Sequence, residues 1–247
     1  MSSARPNERN DLPRLIVAID GPAGAGKSTV ARALAERLGY VLVDTGALYR
    51  TIALAVSRAS ISLDDQDAVG ALAERIAEER RIRLDQRSEN DGGVRVLLDG
   101  EDVGKHIRTP AISLGASRVS AVPRVRAALL ALQRQAAERG GVVLEGRDIG
   151  TVVFPNAEVK FFLTASSDER ASRRFRELQE KGEDVTLDAT KTDVEKRDHA
   201  DTMRAIAPLK QADDAILVDS SSLAIEDVVA RMVDVVLSRA HARASTR

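Results

Sequence analysis

Residues 21–29 read GPAGAGKST, so that Gly21, Gly26, Lys27 and Ser28 fit the spacing G-x-x-x-x-G-K-[ST]. In such a loop, formed here by Gly21, Pro22, Ala23, Gly24, Ala25 and Gly26, the glycines let backbone N–H groups turn inward around phosphate oxygens. The helix that opens at Lys27, Ser28 and Thr29 presents its positive end to the same anion. Lys27 can reach the transferring phosphate as a point charge, and the Ser28 hydroxyl can hold Mg²⁺. An incidental Gly/Ala turn is the bland alternative, but the loop sits between an apolar strand pattern and a helical one, the setting in which the pattern has meaning. The expectation is a site for a nucleoside triphosphate.

Arginines stand on three other segments. In residues 44–50, DTGALYR, Thr45 can cap a helix, and Arg50 stands about one and a half turns into it. Arg147 and Asp148 follow a short apolar run, and Arg197, Asp201 and Arg204 are spaced i, i+4, i+7 on a helical pattern. Taken alone, that last run reads more readily as a solvated ladder of ion pairs.

Short continuous apolar runs at 15–20, 41–44, 142–145, 159–163 and 215–219 predict the buried strands of a parallel sheet. Helical patterns lie between them. Residues 28–38 carry Val30, Leu34 and Leu38 on one face and stop at Gly39, a second helix follows Pro123, and a last one starts near Ser222. Strands alternating with helices give an α/β core with a five-stranded parallel sheet and helices on both faces. The P-loop, 44–50 and 147–148 all follow strands, and so share the sheet edge where ligands bind in open α/β folds. Residues 60–108 break the rhythm. A helix over 68–79 precedes two strand-like segments, 81–85 and 94–99, and the Asn/Asp/Gly-rich run 87–93 between them predicts a β-hairpin. The chain therefore divides into a polar leader (1–14), a core (15–44 and 109–237), an acceptor region with a hairpin insert (45–108), a lid within the core (166–184) and a frayed polar tail (238–247).

Composition narrows the class. A hydrophobic fraction of 43% with 2% aromatics and no Trp calls for a core of Leu, Val, Ile and Ala. A net charge of −1 argues against bulk attraction to nucleic acid or to a membrane. The absence of cysteine removes disulfides, thiolate metal sites and thiol nucleophiles. No apolar run approaches the roughly 18 residues needed to span a bilayer, and the N-terminus has no apolar middle of a secretory signal, so a cytoplasmic protein is expected. No N-K-x-D run is present to read guanine, and the apolar run 142–145 leads into Gly146-Arg147-Asp148, which puts an arginine where a motor would hold a water-orienting acid. Nothing favours water as the phosphate acceptor.

The segments GPAGAGKST, DTGALYR, ASRVSAVPRVR, EGRDIGTVVFP and the RDxxDxxR…APL pattern occur in that order, and the chain from about 15 to 237 resembles the bacterial cytidylate kinases. The hairpin region resembles the nucleoside-monophosphate insert of their long form. The resemblance implies a P-loop kinase core that phosphorylates CMP and dCMP with ATP and Mg²⁺, acting as a monomer. It assigns the acceptor phosphate to Arg50, Arg147 and Arg204, and the cytosine to Ser117, Arg126 and Asp148. It assigns the sugar to Arg197 and Asp201, and a further acceptor contact to Thr45, where the family usually has Ser. Arg170, Arg173, Arg174 and Arg176 are similar to lid arginines that approach the ATP phosphates, with Arg170 and Arg174 expected in contact; solvated pairing with Asp168, Glu169 and Glu177 is the alternative for each. Thr202 departs from the family, which often has arginine there. UMP or another small phosphorylated acceptor, and a nucleotide-binding module without catalysis, stay open as alternative readings.

Overall fold

The computed structural model of the chain describes residues 12–86 and 94–246. The turn expected at 87–93 and most of the leader lie outside the described residues. In chain order the elements are β1 (Ile16–Asp20), α1 (Lys27–Leu38), β2 (Val41–Asp44), α2 (Thr45–Arg58), α3 (Gln66–Glu78), β3 (Ile82–Gln86), β4 (Val94–Leu98) and β5 (Glu101–Asp102). Then follow α4 (Pro110–Val119), α5 (Pro123–Gln135), β6 (Val142–Gly146), a π-helical turn (Ile149–Val153), β7 (Val159–Thr164), α6 (Ser167–Glu180), α7 (Leu187–Met203), β8 (Ile216–Asp219) and α8 (Ile225–Ala244).

The five predicted strands form one parallel sheet in the order β2-β6-β1-β7-β8. Each is apolar along its length because helices cover both faces. On one face α1 and α8 pack over β1 and β7 through Val30, Leu34, Val228, Met232 and Val236. On the other, Ala18, Val43, Leu144 and Ile149 close a second cluster. The register decides where the site is. Asp20 stands opposite Gly146 and Asp44 opposite Glu145, so β1, β2 and β6 all end at the same level.

A third cluster is built by α2, α3, the β3–β4 pair, α4 and α5, with Leu48, Ile52, Val69, Ile76, Leu98 and Leu129 buried together, so it runs across the division expected at 108/109. The predicted antiparallel pair is present, and β5 adds a short third strand to it. Two expectations change. The last helix starts at Ile225 rather than near Ser222. The tail is not frayed from 238: α8 continues to Ala244 because Met232, Val236 and Ala240 extend one apolar stripe at i, i+4, i+8. Burial of Met232 and Val236 contributes about 1.5–3 kcal/mol each, and Arg243 pairs with Glu158 beyond them.

Candidate active site

β1 delivers the chain into the P-loop through Gly21, whose φ is +152°; a Cβ there would lie 1.9 Å from the Leu163 carbonyl oxygen. No side chain fits that approach. The loop ends on Gly26, in the left-handed conformation that starts α1 at Lys27. Lys27 is buried, and its Nζ donates to the Pro22 carbonyl at 2.7 Å. Burial, then Arg147 and Arg197, pull its ammonium well below the ordinary lysine range, against the opposing pull of Glu145 and Asp201. A phosphate beside it would supply the missing counter-charge. Ser28 and Thr29 are exposed to the cleft.

The Ser28 hydroxyl donates to Glu145 Oε2 at 2.9 Å. Glu145 is a functional candidate that the sequence reading passed over. Its signal was an apolar run, Val142-Val143-Leu144, ending in an acid at the edge of the sheet. Pairing of β6 with β1 is what carries that acid to the P-loop hydroxyl. Burial, and after it Asp44, push the Glu145 carboxyl up to about 7; Lys27 and Ser28 act the other way.

Across the cleft, Asp44 rather than Thr45 caps α2, its carboxylate accepting from Ala47 N at 3.0 Å. Thr45 is the first helical residue instead, and its hydroxyl donates to the Glu145 carbonyl at 2.7 Å. Arg50 Nη2 reaches back to Asp44 Oδ2 at 2.6 Å. The two side chains pass so close to Gly46 that an added Cβ would meet Arg50 Nη1 at 3.0 Å and Asp44 Oδ1 at 3.1 Å.

Arg147 Nε donates to Asp201 Oδ2 at 2.8 Å, and Arg204 lies 3.9 Å from the same carboxylate. Arg204 is not inside the helix with Arg197 and Asp201, but it stays beside the Asp201 carboxylate three residues on. It is the cap that follows α7, and there its Nη2 donates to the Ala207 carbonyl at 2.7 Å and its Nη1 to Ser120 Oγ at 3.1 Å. Burial alone would raise Asp201, but Arg147, Arg204 and Arg197 together hold it below the usual carboxylate range. Arg197 is pulled down to about 10, first by burial and then by Arg147. Arg50, Arg197 and Arg204 each leave a buried Nε–H without a hydrogen-bond partner. A wall of guanidinium groups with unmet donors is chemically ready for an anion.

Arg126 and Asp148 form a buried ion pair farther along the same wall. Arg126 also donates to the Ser120 carbonyl at 3.2 Å, and its guanidinium lies 5.5 Å from the centre of the buried Tyr49 ring. Burial raises the Asp148 carboxyl, outweighing Arg126, Arg204 and Arg147. Ser117 lines the cleft beside them.

On α6, Arg173, Arg174 and Arg176 line the cleft. Arg173 is held by Glu169 at 2.8 Å and by the Ser220 carbonyl at 2.8 Å, and Arg174 by Glu177 at 2.7 Å. Arg170 stands apart. Its Nη1 donates to the Ala23 carbonyl at 3.1 Å and pairs with Asp198, and Asp198 accepts from Ala23 N at 3.1 Å. It ties α6 and α7 to the outside of the P-loop. The whole cleft encloses about 1430 Å³, with the P-loop, Thr45, Arg50, Ser117, Arg126, Arg147, Asp148, Arg197, Asp201 and Arg204 around it.

Residues 17–238 match the cytidylate kinase family model. The chain is 56% identical over 226 residues to the cytidylate kinase of Syntrophotalea carbinolica, covering 92% of this chain and 93% of that protein. With the cytidylate kinase of Geobacter sulfurreducens it shares 53% over 228 residues, covering 92% and 95%. With that of Pasteurella multocida it shares 47% over 219 residues, covering 88% and 93%. The chain belongs to the cytidylate kinase family.

Proposed function

We propose that the chain transfers the γ-phosphoryl group of ATP to CMP, and likewise to dCMP, giving CDP or dCDP and ADP. One observation carries the assignment of the acceptor. A buried carboxylate–guanidinium pair, Asp148 and Arg126, sits at the end of an arginine wall that faces the P-loop across one cleft. Cytosine offers an amino donor and a ring-nitrogen acceptor, which suit Asp148 and Arg126, with Ser117 beside them. Uracil reverses both polarities and would leave buried groups mismatched.

Arg50, Arg147 and Arg204 hold the acceptor phosphate, Arg197 and Asp201 the sugar, and Thr45 a further contact. The loop of residues 21–29 holds the ATP phosphates through its backbone amides, apart from Pro22, which has no N–H, and Ala23, whose N–H is taken by Asp198, with Lys27 at the γ-phosphate; Arg174 and Arg170 support that side from the lid, Arg170 by fixing the loop from behind. In this division 15–44 and 109–237 are the kinase core, 45–108 the acceptor region and 166–184 the lid.

An acceptor phosphate oxygen attacks the γ-phosphorus in line. The new P–O bond forms as the bond to the β-phosphate bridging oxygen breaks, and the electron pair leaves with ADP. No protein nucleophile is required, because positioning and charge neutralisation supply the catalysis. The donor set beside the P-loop, a hydroxyl and a carboxylate oxygen, fits a hard cation, and Ser28 backed by Glu145 would hold Mg²⁺. Among the described residues no cluster of three His, Cys, Asp or Glu could hold a metal alone. When bound, Mg²⁺ neutralises charge on the transferring phosphates. No described helix is long and apolar enough to cross a membrane; for a monomer in the cytoplasm the support is the family resemblance.

The test is an ADP-release assay with CMP, dCMP, UMP, AMP and shikimate as acceptors. CMP and dCMP turn over fastest if the reading holds. Faster turnover of UMP or AMP moves the acceptor, and ATP binding with no acceptor-dependent turnover leaves a binding module.

A further inference from the structure

Asp20 is the last residue of β1 and the one before Gly21, yet its side chain turns away from the donor loop. Its two oxygens accept from two successive backbone amides, Oδ1 from Ile149 N at 2.8 Å and Oδ2 from Gly150 N at 2.7 Å. The carboxylate is 4% exposed and forms no ion pair among the described residues. Burying a carboxylate without a cation in contact is costly, and nothing in the proposed transfer uses Asp20 as an acid, base or ligand.

What the two hydrogen bonds accomplish is visible in the chain they hold. β1 and β6 are paired as far as Asp20 opposite Gly146. Arg147 and Asp148 come next, and Ile149 and Gly150 follow. The two residues that reach the acceptor are therefore a short span fixed at one end by the sheet and at the other by Asp20. The span continues into the π-helical turn, where the Asp148 carbonyl accepts from Val152 N and Val153 N. Gly150 leaves little room beside the clamp: a Cβ there would touch Asp20 Oδ2 at 3.4 Å and press on the Lys160 side chain at 3.1 Å.

We propose that Asp20 is a positioning residue for the acceptor nucleotide, holding Arg147 and Asp148 at a fixed distance from the P-loop that begins one residue after it. The inference rests on the acceptor assignment above. Its effect passes through the Arg147–Asp148 span, so it is specific to one substrate. A bolt for the fold alone would lower stability and leave the balance between the two substrates untouched.

Asp20→Asn is nearly isosteric. It keeps one acceptor oxygen but sets an amide N–H₂ against the second backbone N–H. The expected result is a KM for CMP about tenfold higher, since small misplacements of binding groups have large kinetic effects, with the KM for ATP within about twofold and a reduced preference for CMP over UMP. Gly150→Ala sets a methyl group against Asp20 Oδ2 and the Lys160 side chain and is expected to shift the same ratio. It decides the question if Asp20→Asn does not fold. Equal changes in both KM values, or none, in a folded variant overturn the proposal. Calorimetric titration of each nucleotide alone, on wild type and variants, separates the two readings. A wild type that binds and phosphorylates a different acceptor refutes the CMP assignment, whereas unaltered affinity of the variants for that acceptor refutes the role of Asp20.

Discussion

The wall assigned to ATP runs through residues 21–29 without a break, whereas the wall assigned to the acceptor draws Arg50 from α2, Arg126 from α5, Arg147 from the end of β6 and Arg204 from the end of α7. The first is shaped by backbone. Gly21 is locked against the Leu163 carbonyl and Gly24 against α6, where a Cβ would lie 2.8 Å from the Arg170 carbonyl oxygen. The second is shaped by side chains holding side chains. Asp44 holds Arg50, Asp201 holds Arg147, and Asp148 holds Arg126. A backbone cradle is preset and has one charged side chain to lose, Lys27. A wall of ion pairs divides its work among several groups, and each of its arginines already has a carboxylate partner when a phosphate arrives.

That contrast is broken first at Lys27. Lys27→Met removes the only side-chain cation of the P-loop and is expected to lower kcat by about 10²–10³, the usual effect of deleting one preorganised charge at the reacting centre, with the KM for CMP little changed. Steady-state kinetics with both substrates varied decides it. A kcat within a few-fold of wild type would show that the lid arginines, Arg173 and Arg174, can replace the lysine.

Arg147→Ala tests the other wall. A charge-assisted hydrogen bond is worth about 1.5–3 kcal/mol, so kcat/KM for CMP is expected to fall by about 10–150-fold, while the KM for ATP stays near its wild-type value. A similar loss for both substrates would mean that Arg147 serves the donor as well, a result made plausible by its effect on Lys27.

The two walls also differ in how far a single sequence reveals them. The P-loop is legible because glycine identity and spacing are the geometry, within nine consecutive residues. The sheet is legible for a related reason, since strands buried on both faces are continuous apolar runs. The strand pattern brings Arg50 and Arg147 to one sheet edge, but their roles, and the place of Arg126 and Arg204 beside them, are nameable from sequence only through the family resemblance, because no local pattern says that Arg50 and Arg204 share a cleft. Glu145 was missed because its partner, Ser28, is fixed by the neighbouring of β6 and β1, which periodicity does not encode. Thr45 was read as a cap for α2 because hydroxyl residues favour that position; Asp44 competes for it and wins by one residue. The end of α8 was read as frayed from its polar composition, when Ala240 carries the buried stripe onward.

Asp148→Asn sharpens the comparison within the acceptor wall. The amide keeps one acceptor oxygen but cannot balance Arg126 as a charge. The preference for CMP over UMP is expected to narrow by about tenfold, roughly the worth of one imperfect polar contact, and is read as the ratio of the two kcat/KM values. An unchanged ratio removes Asp148 from reading the base and leaves it as the partner of Arg126.

The smallest expected effect lies at the joint between the walls. Burial raises the Asp20 carboxyl from 3.8 to about 6, against its two backbone hydrogen bonds; Asp148 adds to the rise and Lys27 opposes it. Between those two values the folded chain binds more protons at this site than the unfolded chain, so stability falls as pH rises through the window. Lowering the pH from 7 to 5.5 should therefore stabilise wild type relative to Asp20→Asn by about 1 kcal/mol, measured as the difference between their urea unfolding free energies at the two pH values. Other carboxyls, Glu145 among them, titrate in both proteins and cancel in that difference. Parallel pH profiles would mean that the Asp20 carboxyl is not raised, and that the two backbone amides offset its burial in full. A difference of the expected sign means that the ionised clamp on Ile149 and Gly150 is held at a cost in stability at neutral pH, and acidification should then raise stability while loosening the acceptor wall.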